Sequence, residues 1–168
     1  MSFFTDVIKK DARYKTLNTV KDMNLLEPVF KKKVLAFLDE AKSLGHDLRV
    51  AETFRSQARQ VHLFHQGFTQ LKTVGVHNYG LAADFNLFID GKYEEDGEKY
   101  AFFQTLAKKH KLISGIDWGT PRQKHSFHDW DHLQGVPVFR QGGLFRGEWY
   151  PSGDDYDPWA DQLANHIG

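Results

Sequence analysis

The chain has 168 residues, 40% of them apolar and 14% aromatic, which suits one domain with a real core and excludes disorder by composition. Lys plus Arg and Asp plus Glu both number 22, so no net charge draws the chain to nucleic acid or to an anionic membrane. Cysteine is absent, which excludes a disulfide framework and restricts any metal site to His, Asp, Glu and water.

The N-terminus, MSFFTDVIKK, lacks the basic and apolar regions of a signal peptide, and no stretch approaches the apolar length of a membrane span. The first predicted helix covers 27–45. Phe30, Val34, Phe37, Leu38 and Ala41 share one face, Pro28 suits the first turn and Gly45 the stop. Residues 47–54 read as a strand, and Ser56 and Gly67 bracket a short helix as N-cap and stop. Residues 81–88 alternate as a strand, followed by an Asp90-Gly91 turn and a second strand near Lys92 and Tyr93. A helix is predicted over 97–111, and a last core strand starts at His132 and is closed by Pro137. Residues 1–150 form a single domain in this reading, and 151–168 an extension ending in a short helix. Asp154, Asp155 and Asp157 lack the Gly and distal Glu of a calcium loop and read as a solvated turn. The pattern is α+β, with helices packed on a small, mostly antiparallel sheet.

Two clusters carry chemistry. In VGVHNYGLAADF, 74–85, His77 precedes Asp84 by seven positions, with small residues between them. Gly80 lets the backbone turn so that the imidazole can fold back toward Asp84, and Ala82 and Ala83 leave room above the sheet. In HSFHDWDHLQ, 125–134, three histidines and two aspartates fall within eight residues. A catalytic zinc site needs three protein ligands and an open position. His77 and Asp84 supply two; the third comes from His125, His128 or His132, of which His132 is best fixed because it starts a strand. Asp129 stands where a carboxylate can take a proton from a metal-activated water, with Asp131 next in line. His46, His62, His65, His110 and His166 read as surface or structural residues.

Gly75-Val76-His77-Asn78-Tyr79-Gly80-Leu81-Ala82-Ala83-Asp84 resembles the S-x-H-x-x-G-x-A-x-D motif of zinc peptidoglycan peptidases. These are the D-alanyl-D-alanine carboxypeptidases and dipeptidases and the L-alanyl-D-glutamate endopeptidases of bacteriophage endolysins. Asp129-Trp130-Asp131-His132 is similar to their second motif, RSQARQ from Arg55 resembles their R-S-x-x-x-Q segment, and SGIDWG resembles the Trp-Gly segment of the endopeptidase branch. The resemblance spans roughly residues 27–136. It implies a hedgehog/D-Ala-D-Ala peptidase-like fold and Zn2+ held by His77, Asp84 and His132, with Asp129 as general base and Arg55 facing the substrate. Trp118 and Gln134 complete the expected substrate-binding set. Two departures stand out: Gly75 replaces the motif's serine, and Asp131 rather than Trp precedes the last histidine. Asp at 129 with Gln134 following leans toward the endopeptidase branch.

The expected function is zinc-dependent hydrolysis of the peptidoglycan stem peptide at the L-Ala–D-Glu bond. The alternatives are a D-alanyl-D-alanine carboxypeptidase and a metal-containing wall-binding module that does not cut; neutral charge counts against a metallonuclease. A monomer is expected, with no nucleic-acid or membrane partner. It would be made in the cytoplasm and reach the wall by phage lysis or another export route.

Overall fold

The computed structural model describes residues 2–118 and 128–165. After a short helix α1 (Phe3–Asp6) and two 3-10 turns comes α2 (Pro28–Ser43), then β1 (Asp47–Glu52), α3 (Gln57–His65), β2 (Ala82–Ile89), β3 (Lys92–Tyr93) and α4 (Phe102–Lys109). β4 (Ile113–Ser114), β5 (His132–Gln134), α5 (Gln141–Phe145) and α6 (Pro158–Asn165) follow. The sheet is antiparallel in the order β1-β2-β5-β4, and β3 returns on β2. This is the expected α+β arrangement.

Local chemistry accounts for the elements that the sequence announced. Pro28 opens α2, the Glu27 carboxylate accepts from the Phe30 amide at 2.8 Å, and Gly45 stops it with φ of 90°. Phe30, Val34, Phe37 and Ala41 of α2 join Phe103, Leu106 and Ala107 of α4 in one buried cluster with Ala83, Phe85, Leu87 and Leu133 of the sheet. Ser56 caps α3 as expected, accepting from the Arg59 amide at 3.0 Å. Asp90 and Gly91, both at positive φ, make the tight β2–β3 turn. No helix among the described residues is long and apolar enough to cross a membrane.

Some boundaries differ from the expectation. The helix predicted over 97–111 is a 3-10 turn, Gly97–Tyr100, followed by α4. The final strand is three residues long. Gly135, just past it, still donates to the Leu81 carbonyl at 2.9 Å and packs on Phe30, where a Cβ would lie 2.9 Å from the ring. The two-residue β4 was not anticipated at all. The tail helix α6 buries Pro158 and Gln162, and Gln162 donates to the Asp117 carbonyl at 3.0 Å.

The sheet register organises what comes next. Asp84 on β2 lies opposite His132 on β5 and, across an irregularity between Val50 and Glu52, opposite Glu52 on β1. The three side chains therefore form a row across adjacent strands. N-terminal to β2, a 3-10 turn over Val76–Tyr79 ends at Gly80, whose φ is 69°. A Cβ there would fall 2.5 Å from the Leu25 carbonyl oxygen. Gly80→Ala should therefore combine left-handed strain with a backbone clash and lower stability by about 1–3 kcal/mol, read as a lower urea midpoint with an unchanged slope.

Candidate metal centre

The row ends in a buried polar group. His77 and His132 are each 4% exposed. The Asp84 Oδ1 atom lies 2.8 Å from His132 Nδ1 and 3.2 Å from His77 Nε2. One ligand atom from each of the three residues lies within 4.8 Å of the other two. Tetrahedral zinc with bonds of about 2.0–2.1 Å sets its ligands about 3.3 Å apart, so small shifts accommodate the ion. The donor set, two imidazoles and a carboxylate with no thiolate, fits a zinc site that leaves one position open.

Each ring is oriented from behind. His77 Nδ1 lies 2.7 Å from the Thr53 carbonyl, which fixes Nδ1 as a donor and turns Nε2 toward Asp84. Thr53 is in turn held by the N-terminal segment: its amide bonds the Val20 carbonyl at 2.7 Å, and its hydroxyl bonds the carbonyls of Val20 and Asp22. His132 Nε2 lies 3.0 Å from Gln134 Oε1.

Electrostatics follows from burial and the charges around it. Desolvation pushes the Asp84 carboxyl up, but the His77 charge and the His132 hydrogen bond outweigh it and hold the group well below its ordinary range. Burial disfavours charge on His132, yet the Asp84 hydrogen bond and charge lift it to about 9 without a metal. A cation bound here takes the place of that proton. Asp131 is pushed up to about 8, by burial first and then by the charges of Asp84 and Asp129.

His77 and His132, the two imidazoles of the group, line a cleft of about 250 Å³. Arg55, Trp118, Asp129 and Gln134 line it; Asp131 does not. Asp129 Oδ2 is 4.0 Å from His132 Nδ1. Its loop is held close by Gly115, where a Cβ would lie 2.2 Å from the Asp129 carbonyl oxygen. Arg55 donates through Nε and Nη2 to Glu52 at 3.0 and 2.6 Å and through Nη1 to Gln60 at 3.1 Å, and its Nη2 is 3.6 Å from Asp84 Oδ2. It thus lies in the site and is also part of a salt bridge. Gln134 lines the cleft but is 1% exposed, and its amide is engaged inside the protein. The opposite wall, Phe68 to Leu71, escaped the sequence reading. An aromatic in a polar loop was the one available signal, and Phe68 is 74% exposed.

The other histidines stay apart. His128 is exposed, with its ring edge-on to Trp130. His46 stacks on Phe102 and His110 pairs with Glu40. His62 and His65 sit on α3, outside the metal-capable group. His125 and His166 lie outside the described residues.

No protein-family model matches the chain. The peptidoglycan L-alanyl-D-glutamate endopeptidase CwlK of Bacillus subtilis (strain 168) is 28% identical over 138 residues, which cover 71% of this chain and 81% of the relative. The crystal structure of the L-Ala D-Glu endopeptidase ChiX of Serratia marcescens superposes with a TM-score of 0.55 and 20% identity, covering 80% of this chain and 96% of that one. That likeness establishes the fold.

Metal titration tests the cluster. Protein stripped by a chelator should remain folded and take up one zinc per chain. His77→Ala and His132→Ala should each weaken binding beyond the roughly 10–100-fold typical of an outer-shell partner.

Proposed function

We propose that this chain is a zinc peptidoglycan peptidase of the L-alanyl-D-glutamate endopeptidase and D-alanyl-D-alanine carboxypeptidase kind and hydrolyses a peptide bond in the peptidoglycan stem peptide. The observation that carries this reading is the meeting of Asp84 with His77 and His132, two histidines that line a cleft together with Asp129. Zinc, when bound, lowers the pKa of a water from about 15.7 toward about 7 and polarises the scissile carbonyl.

The remaining work falls to the chain's own side chains. Asp129 accepts the proton of the attacking water and returns it to the departing amine. Its place on the cleft wall favours it over Asp131 for this role. A guanidinium has five N–H groups, and Arg55 commits three: Nε and Nη2 to Glu52, and Nη1 to Gln60. One N–H on Nη1 and one on Nη2 are left to pair with a substrate carboxylate or steady the developing oxyanion. Trp118 and Phe68 offer apolar walls to the bound peptide.

The L-Ala–D-Glu bond is the first choice. D-Glu carries a free carboxylate beside that bond, which suits Arg55, and both relatives above are named for that specificity. Degradation of the cell wall, of the bacteriolytic kind seen in endolysins, is the process such cleavage serves. A wall-binding module that does not cut would have no use for Asp129 in the cleft.

Mass spectrometry of muropeptides digested with the zinc-loaded protein tests the reading. A new N-terminal D-Glu is the expected product. Release of D-alanine would move the assignment to the carboxypeptidase branch, and intact muropeptides would overturn the hydrolase. Asp129→Asn should keep its zinc yet lose about two to four orders of magnitude in rate; normal turnover would transfer the base to Asp131.

Arg55→Lys should lower kcat/KM by about tenfold to a few hundredfold, the range of a charge-assisted hydrogen bond, because Lys lacks the planar fork. Zinc content should not change. The loss should shrink on a substrate with its D-Glu carboxylate amidated, since that analogue no longer offers the charge. Equal losses on both substrates would leave Arg55 to the oxyanion or to the Glu52 ion pair.

A further inference from the structure

We propose that Gln134 is a positioning residue for the metal group: it keeps one proton of His132 on Nε2, so that Nδ1 is the nitrogen offered to a metal beside Asp84 and His77. The inference rests on the zinc reading above and deepens it. A neutral imidazole carries its proton on one nitrogen and offers a lone pair on the other, so a ligand histidine needs an acceptor behind it. For His132 that acceptor is Gln134 Oε1, 3.0 Å from Nε2, while Nδ1 lies 2.8 Å from Asp84 Oδ1.

The Gln134 amide is not free to turn over. Its Oε1 also accepts from the Trp118 indole N–H at 3.1 Å, and an indole N–H can only donate. Its Nε2 donates to the Val136 carbonyl, which can only accept. Flipping the amide would set N–H against N–H on one side and oxygen against oxygen on the other. The side chain is 1% exposed, so water cannot relieve either clash. The backbone is fixed as well, because Gln134 is paired with Ala82 on one side and Ile113 on the other. Trp118 and Val136 therefore decide the polarity of the amide, and the amide decides which nitrogen of His132 is offered to a metal.

His77 is the counterpart with the nitrogens exchanged: Nδ1 donates to the Thr53 carbonyl and Nε2 faces Asp84. One ligand histidine is oriented by a backbone carbonyl, which no substitution removes. The other is oriented by a side chain, which a substitution can remove. With both ends of its amide engaged, Gln134 acts on a substrate only through His132.

The test uses the full chain, stripped of metal and titrated with zinc against a chromophoric chelator. Gln134→Met keeps the length of the side chain without the acceptor and should weaken zinc binding by about 10–100-fold. The urea midpoint of the metal-free protein should fall as well, because the Trp118 indole N–H and the Val136 carbonyl lose a buried partner. Gln134→Glu, protonated in this buried place, keeps an acceptor toward Nε2 and a donor toward the Val136 carbonyl, and should bind zinc within about threefold of wild type. A purely structural role lowers the urea midpoint of the Met variant and leaves its zinc affinity unchanged. Should the Met variant fail to fold, the Glu variant decides, because a large loss of zinc affinity in it overturns the proposal. Activity adds a second readout. The Gln134→Met defect should disappear at saturating zinc, whereas a KM that stays raised there assigns Gln134 to the substrate and overturns the inference. Wild type that takes up no zinc refutes the metal site itself; wild type that binds while Gln134→Met binds equally well refutes only the role of Gln134.

Discussion

Everything at the site depends on the register of three antiparallel strands. It sets Glu52, Asp84 and His132 in one row, separated in sequence by 32 and 48 positions. Two carboxylates opposite each other on neighbouring strands repel, and in a buried setting that repulsion is not screened by water. Arg55 answers it by lying between them, 2.6 Å from Glu52 and 3.6 Å from Asp84, while Arg59 closes on the other oxygen of Glu52. Slipping β5 by one residue would turn His132 to the opposite face and bring Leu133 into the site. Leu133 is fully buried in the core cluster, so the apolar face enforces the register that the polar face needs.

The same economy governs the rings. A buried histidine can satisfy one nitrogen within the fold and leave the other for a ligand only if the satisfied nitrogen has a fixed partner. For His77 the partner is the carbonyl of Thr53, and Thr53 is fixed by Val20 and Asp22. The N-terminal segment, packed through Ile8, Val20 and Leu25 against Phe54, is therefore part of the machinery even though none of its side chains lines the cleft. Burial also explains why the group is so strongly polarised without a metal. Asp84 remains a carboxylate because of the imidazoles of His77 and His132 at its Oδ1, and a divalent ion is the natural replacement for the proton that His132 holds.

What was legible in the sequence is what has a period or a spacing. The apolar stripe from Phe30 to Ala41 announced α2, the alternation from Ala82 to Leu87 announced β2, and seven positions between His77 and Asp84 announced a bend back across Gly80. The choice among three histidines near Asp129 was narrower than spacing alone could make it, and it took the Asp84–His132 pairing to bring one of them to the site. β4 was invisible because two residues have no period. The Thr53 carbonyl was invisible because a backbone acceptor has no letter of its own. Gln134 was visible as a residue near the cleft, but its part depends on which way an amide faces, and that is decided by Trp118 and Val136.

Position 75, where the resembled motif has serine and this chain has glycine, lies beside Gln60. A Cβ at 75 would lie 3.2 Å from Gln60 Oε1, the atom that accepts from Arg55 Nη1. The other end of the same amide donates to Thr69 Oγ1 at 3.1 Å and to the Leu71 carbonyl. Gln60 is 1% exposed, so these bonds have no competition from water. It ties the guanidinium on one side of the cleft to the loop that forms its far wall. A serine at 75 would press on that amide and shift Arg55 and the loop together. One buried glutamine thus couples the loop on the far wall to Arg55, which Glu52 also holds.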